Sequence, residues 1–386
     1  MSTFIKRASY FAVLAAVLLA LADRLSELKA EFFDAPKPLP VLEVNTKLRD
    51  AGEPILENEI LGPESLVFKG DDLYTGLMDG RIVKINVKTL EVQDFFKFNK
   101  SCAGFYGSYD DYPPQREPLC GRPLGMRIDS DGNFLVAESY SGLYRISPDG
   151  QRSELLVNNV EGRKITFIND LDVASDGTIY FSETSDRWGR NKVISEIIAT
   201  RRVGTLVSIH KDDPYRTMKV HRGFLPCNGV SLSHDEQFVY FISSPAIYRL
   251  NRKTNEVTIA MNNMPGVMDN IRRRKGIPNR FIIGCASKRS QPFSLPDLLA
   301  PYPNLKNVLS FFLPQAILLN LIPRMGLLME VDLTPGHERI VQTYQDRSAG
   351  GIAYVSEAEE HSDGYVYIGT WHERHLVRAR ADKLFS

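Results

Sequence analysis

Four oxygen-donor side chains stand at equivalent places in a repeated sequence unit, and holding a hard cation is the chemistry such a set could do. Four units open on Glu64-Ser65-Leu66-Val67-Phe68, Leu124-Gly125-Met126-Arg127-Ile128, Asn169-Asp170-Leu171-Asp172-Val173 and Asn228-Gly229-Val230-Ser231-Leu232. In each, the lead residue stands seven positions before a turn aspartate: Asp71, Asp131, Asp176 or Asp235. A fifth unit starts at Asp269-Asn270 and a sixth near Gly350-Gly351. The lead residues then read Glu64, Leu124, Asn169, Asn228, Asp269 and a glycine near Gly351. Two carboxylates and two amides, with no lysine or arginine among them, suit calcium, which takes about six to eight oxygen ligands including waters. Zinc would draw histidine or cysteine. Asparagine and aspartate also cap turns, but one register shared by four units argues for a common task.

Strands must position these residues. Each turn separates two runs of apolar alternation, the pattern of antiparallel pairs. Further runs such as Ile82-Val83-Lys84-Ile85 and Gly142-Leu143-Tyr144-Arg145-Ile146 fit outer strands. Six such units arranged radially make a propeller whose innermost strands line a central channel. The expected fold is all-β: a six-bladed β-propeller with an N-terminal apolar helix and a helical insertion in the fifth blade. Residues 1–30 are predicted to be a signal peptide or signal-anchor helix, 31–61 a linker, and 62–386 the propeller. The leader rests on Lys6-Arg7 followed by an apolar run from Ala8 to Ala22. Ala20-Leu21-Ala22 suits cleavage, while the flanking charge equally suits a retained anchor with a lumenal body.

The 386 residues hold 47 lysine plus arginine against 47 aspartate plus glutamate, so no net positive field favours nucleic acid. The one dense basic run, Arg272-Arg273-Arg274-Lys275, reads as a solvated turn. Of four cysteines, Cys102 and Cys120 bracket a polar loop and are expected to form a disulfide. Asn99-Lys100-Ser101 is a glycosylation sequon, at Asn99. Leader, disulfide and sequon agree on the secretory pathway, with the propeller either lumenal or extracellular on a single-pass anchor, or secreted.

The six-unit order, with Cys120-Gly121-Arg122-Pro123, Asn169-Asp170, Asn228-Gly229 and Asp363-Gly364, resembles the strictosidine synthase-like proteins from Gly62 to the C-terminus. More loosely the chain is similar to calcium-dependent propeller hydrolases such as paraoxonases and gluconolactonases. That resemblance implies a calcium ion held by Glu64, Asn169, Asn228 and Asp269, with Asn270 as a further ligand or a neighbour of one. Two departures matter. Around Gly350-Gly351-Ile352-Ala353 there is no carboxylate to match the catalytic glutamate of the plant synthases, so strictosidine synthesis is not expected. Leu124-Gly125 stands where paraoxonases need a histidine.

What remains is hydrolysis of small esters or lactones, arylesterase-like, with Asp269 as base or nucleophile and Asp170 in reserve. A calcium-stabilised propeller without activity, or a carrier of hydrophobic ligands, are the alternatives. His372-Glu373-Arg374-His375 reads as a turn between strands, and Cys227 as a buried apolar residue. Glu183 and Trp188 could shape a rim or close a blade. The insertion, about 292–324, reads as two short apolar helices split by Pro314, packed as a lid or lying in a membrane interface.

Overall fold

The computed structural model describes residues 16–102, 116–213, 216–313, 315–348 and 350–386. Within them, six four-stranded antiparallel sheets follow one another along the chain as the blades of a propeller. Their innermost strands are Leu66–Lys69, Pro123–Ile128, Phe167–Val173, Val230–Leu232, Gly266–Arg273 and Val355–Glu360. The runs expected as outer strands are the third of each blade; a fourth, more exposed strand lies beyond them. In blade six that fourth strand comes from the other end of the chain, with Gly52–Ile55 pairing antiparallel to Leu376–Arg380. The stretch read as linker therefore contains the strand that closes the ring.

The helices are α1 (16–25), α2 (Lys47–Ala51), α3 (Glu117–Cys120), α4 (Val193–Ala199), α5 (Leu295–Leu299), α6 (Pro303–Phe312), α7 (Gln315–Asn320) and α8 (Ala381–Leu384). The insertion, α5 to α7, lies between strands Arg280–Lys288 and Gly326–Asp332 of blade five and holds three helices rather than two. Pro314 and most of the apolar leader lie outside the described residues. Among the described residues no helix is long and apolar enough to cross a membrane.

Each blade buries its apolar faces against the next. Six hydrophobic clusters lie at the six blade-to-blade contacts, for example Ile168, Phe181 and Val207 of blade three against Leu135 and Leu143 of blade two. A seventh joins Leu28 of the N-terminal segment to Ile194, Ile198 and Ala199 of α4 and Leu318 of α7. Backbone bonds tighten that cap: Glu31 N–H donates to the Ala199 carbonyl at 2.9 Å and Phe33 N–H to the Ala300 carbonyl at 3.1 Å. The buried Lys306 ammonium donates to the Glu31 carbonyl and to Thr200 Oγ1, both at 2.6 Å.

A bulge recurs on the inner strands. In blade three Ile168 faces Glu183 and Leu171 faces Phe181, so Asn169 and Asp170 together oppose one residue. Leu124-Gly125, Asp269-Asn270 and Ser356-Glu357 do the same in blades two, five and six. A two-against-one bulge re-aims side chains that strict alternation would send to opposite faces. It also places the sixth lead residue at Ser356, not near Gly351. Ser356 stands seven positions before the turn residue Asp363, the spacing of the first four units. Glycine is required after two lead residues: a Cβ on Gly125 would lie 2.5 Å from Asp170 Oδ1, and one on Gly229 2.6 Å from the Ile271 nitrogen.

The second residues of these pairs meet in a dry layer across the channel. Arg272 lies at its centre, against the reading of a solvated basic turn. Its NH1 donates to Asp170 Oδ2 at 2.7 Å and its NH2 to Asp170 Oδ1 at 3.0 Å, and it also pairs with Glu357 of blade six. Glu357 in turn accepts from the Leu66 N–H of blade one and from Asn270 Nδ2. Arg274, two residues on, points inward to Glu330 and Glu360, while Arg273 and Lys275 are exposed. The run is a strand end with alternating faces. Removing one partner of a buried pair costs about 3–5 kcal/mol. Arg272→Met is therefore expected to lose that much unfolding free energy in urea, and Arg272→Met combined with Asp170→Asn to lose less than the two single changes summed.

Candidate functional site

The lead residues lie one layer further along the channel. Glu64, Leu124, Asn169, Asn228 and Asp269 line one end of a cavity of roughly 250 Å3. Its walls are apolar, built by Phe167, by Val193, Ile194 and Ile198 of α4, and by Leu318 and Ile322 at and beyond α7. Phe33 and Ala35 of the N-terminal segment complete them. A second cavity, of roughly 410 Å3, opens at the far mouth beside Arg127, Asp172, Arg272 and Glu359. Arg272 and its carboxylates lie between the two.

Two amide oxygens in the first cavity, Asn169 Oδ1 and Asn228 Oδ1, are buried and accept no hydrogen bond. A buried amide oxygen without a partner carries a desolvation cost of about 1–3 kcal/mol. Elsewhere these side chains are engaged: Asn169 Nδ2 donates to Thr184 Oγ1 at 3.0 Å, and Thr184 donates to the Cys227 carbonyl. That fixes which way Asn169 points. Burial, followed by the neighbouring Glu64 carboxylate, pushes the Asp269 carboxyl well above the usual range. Burial also raises Glu64, against the opposing pull of Arg122. Two orphaned amide oxygens and two desolvated carboxylates form an all-oxygen donor set that a hard divalent cation would satisfy. Among the described residues no three histidine, cysteine or carboxylate side chains group as a metal site, so this set depends on its amides.

The expectation that no cationic side chain attends the set needs correction. Arg122, fully buried, donates from NH2 to Glu64 Oε2 at 2.8 Å and from NH1 to the Gly62 carbonyl at 2.7 Å. Arg190, in the turn before α4, lines the same cavity and pulls down the carboxyls of both Glu64 and Asp269. Both arginines come from segments between strands, so the repeat gave no signal for Arg190. Arg122 stands in Cys120-Gly121-Arg122-Pro123, just before the inner strand of blade two. Asp170, read as a reserve base, is fully buried and held by both nitrogens of Arg272, outside the cavity lining. Asn270 donates from Nδ2 to Glu357 at 3.3 Å, and its Oδ1, like those of Asn169 and Asn228, is buried without a partner. Burial pushes Glu357 up to about 7, against the pull of Arg272.

The remaining candidates fall outside the donor set. Glu183 is buried and paired with Arg163 at 2.5 Å, closing its blade, while Arg187 stacks on Trp188 at 3.7 Å beneath the cap. Cys227 and Cys285 are free and buried, and burial raises both thiols. His372 lies in the turn before the last strand; burial, then Arg190, lowers it to about 3, so it stays neutral. Cys102 and Cys120 are joined in a disulfide, and Asn99 beside them is exposed.

Residues 41–85 match the model of the strictosidine synthase-like N-terminal family, and residues 111–267 that of the SMP-30/gluconolactonase/LRE-like region. The chain is 33% identical over 359 residues to adipocyte plasma membrane-associated protein of Rattus norvegicus, covering 90% of each. It is 29% identical over 334 residues to strictosidine synthase-like protein 10 of Arabidopsis thaliana, covering 80% of this chain and 82% of that one. Among solved structures, a gluconolactonase of Xanthomonas campestris superposes with a TM-score of 0.52 at 13% identity, over 91% of this chain and 97% of its own. A calcium-binding regucalcin of Agrobacterium tumefaciens gives 0.53 at 9% identity, over 84% and 92%. At such identities these two structures speak for the propeller fold.

A raised carboxyl must lose its proton before it can hold a cation. Calcium affinity is accordingly expected to fall as pH drops through the raised range of Asp269 and Glu64, with protons released on binding. Calorimetry in buffers of different ionisation enthalpy measures both; an affinity flat from pH 5 to 8 would contradict the raised carboxyls.

Proposed function

The chain belongs to the strictosidine synthase-like family, in the group of the adipocyte plasma membrane-associated proteins, and on that premise we propose that it is a calcium-dependent hydrolase of small esters or lactones. The observation that carries this reading is the pair of orphaned amide oxygens, Asn169 Oδ1 and Asn228 Oδ1, beside Glu64 and Asp269 at the end of an apolar cavity. These four residues would hold the ion, with Arg122 fixing the rotamer of Glu64 from behind. When bound, calcium supplies a Lewis acid for the carbonyl oxygen of the substrate.

The chain's own side chains do the rest. The walls of α4 and the insertion exclude water and take the apolar part of the ester. Of the two carboxylates in the donor set, Glu64 is engaged by Arg122, and the reserve Asp170 by Arg272, which leaves Asp269 to accept a proton from an attacking water or to attack the carbonyl itself. Leu124 leaves the second-blade position without any proton carrier. That favours the alternative of a calcium-stabilised propeller without turnover, and the two readings part in a direct assay.

We place the protein in the secretory pathway, consistent with the disulfide and the exposed sequon. Exposed apolar residues on α1 and α6, among them Leu18, Leu21, Phe311 and Phe312, favour attachment at a membrane surface. In expressing cells a glycosidase is expected to increase the mobility of the wild-type chain and not of Asn99→Gln.

A ligand bound by the folded state alone adds about 2.7 kcal/mol at a hundredfold excess over Kd. Calcium is thus expected to raise the melting temperature and chelator to reverse the gain, with Glu64→Gln blunting the effect. Turnover of aryl esters or lactones is expected to fall about a hundredfold in Asp269→Asn at saturating calcium, the usual loss for a general base. Calcium binding without hydrolysis across an ester, lactone and phosphotriester panel would leave the scaffold alternative standing.

A further inference from the structure

The cavity combines long apolar walls with a guanidinium that a neutral ester does not require. Arg190 is anchored as a preorganised group. Its NH1 donates to Glu117 Oε2 at 2.6 Å, Glu117 Oε1 accepts from the Tyr140 hydroxyl at 2.5 Å, and Tyr140 accepts from the Asn191 N–H at 3.0 Å. Two side chains, Glu117 of α3 and Tyr140 of blade two, and the Asn191 backbone N–H thereby hold one cation at the cavity wall. A partner fixed this way orients the guanidinium while balancing its charge, and guanidinium recognises carboxylates in a defined geometry.

The charge balance points the same way. Around the donor set, the carboxylates of Glu64, Asp269 and Glu117 face the guanidiniums of Arg122 and Arg190, leaving one negative charge. A divalent cation reverses that to one positive charge. Further out, Arg289 is paired with Asp297 at 2.6 Å, while Lys288 adds positive charge to the lining. The loaded cavity therefore carries a positive end behind apolar walls, and desolvation strengthens the attraction for an anion there.

We propose that the cavity selects amphipathic anions, molecules with an apolar chain and a carboxylate, and that Arg190 is the specificity-determining residue for the carboxylate. The inference deepens the hydrolase reading and rests on it for the place of the reacting group: the substrate class becomes esters or lactones of acids that bear a second, ionised carboxyl. Arg190 acts on affinity for the charged group and takes no proton in the reaction.

Calorimetric titration of the calcium-loaded full chain with decanoate and with decanol tests this. Decanoate is expected to bind more tightly than decanol; Arg190→Gln should weaken decanoate about tenfold or more and change decanol less than about twofold, the loss of one charged hydrogen-bond partner. Arg190→Lys, which keeps the charge, should recover part of the loss, and its melting temperature guards against misfolding of the glutamine variant. Equal losses for both probes, no loss for either, or no binding of decanoate at its solubility limit overturns the proposal. So does a decanoate affinity that chelator abolishes but Arg190→Gln leaves unchanged, because the carboxylate would then sit on the ion. Titration with calcium alone separates the two readings: no calcium binding together with Arg190-dependent decanoate binding sinks the hydrolase reading and spares this one.

Discussion

A single guanidinium in a dry channel sets the terms for everything above it. Six inner strands converge there, and their bulges turn two carboxylates, Asp170 and Glu357, into a buried space. Unbalanced, such charges would push the blades apart. Arg272 answers with the one cationic side chain whose planar fork can serve both carboxylates at once, and it adds a long contact to Ser65 of blade one. Four of the six blades are thus tied at one point. Arg272 offsets one of these two charges and burial raises Glu357 to about 7, so this layer leaves little charge facing the one above, where the amide oxygens of Asn169 and Asn228 stand without partners.

The repeated units and three of the four donors, Glu64, Asn169 and Asn228, were legible from a spacing of seven residues to a turn aspartate, and Asp269 from its place at the start of the fifth unit. The same rule, counted back from Asp363, reaches Ser356 and Glu357. The glycines at Gly350 and Gly351 drew the reading elsewhere. Arg272 was obscured by its neighbours: in Arg272-Arg273-Arg274-Lys275 the density of charge outweighs the period of two that marks a strand with one buried face. Arg190 left no trace at all, since a turn between strands has no periodicity and its partner Glu117 is distant in sequence. Local spacing reveals what the repeat positions. Side chains delivered by connections become visible only once the fold brings the connections together.

The cap shows how a propeller acquires a private interior without changing its blades. Lys306 carries a charge into a wholly buried place, where three oxygen acceptors, from Glu31, Thr200 and Ala300, replace its hydration. Burial lowers its pKa to about 8 even so. This ammonium binds the N-terminal segment, the end of α4 and the insertion together, and those three elements form the apolar walls above the donor set. The donor layer is built by the repeated inner strands, whereas the cavity walls above it are made by segments that the repeat does not contain.

The closing strand Gly52–Ile55 gives the chain an unusual response to tension. A pull on the N-terminal helix does not reach the ring directly, because residues 30–33 are first bound to Ala199, Ala300 and Asn307. These few bonds would yield one after another, and each that yields lifts part of the wall from the cavity. Load would next meet the bonds from Arg289 to the Pro36 carbonyl, from the Gln291 N–H to the Pro40 carbonyl and from Gln345 to the Glu43 carbonyl, and only then the strand, whose four paired residues lie alongside Leu376–Arg380. Tether, door and clasp thus follow one another along the chain, with the cavity wall nearer the point of pull than the strand that closes the ring.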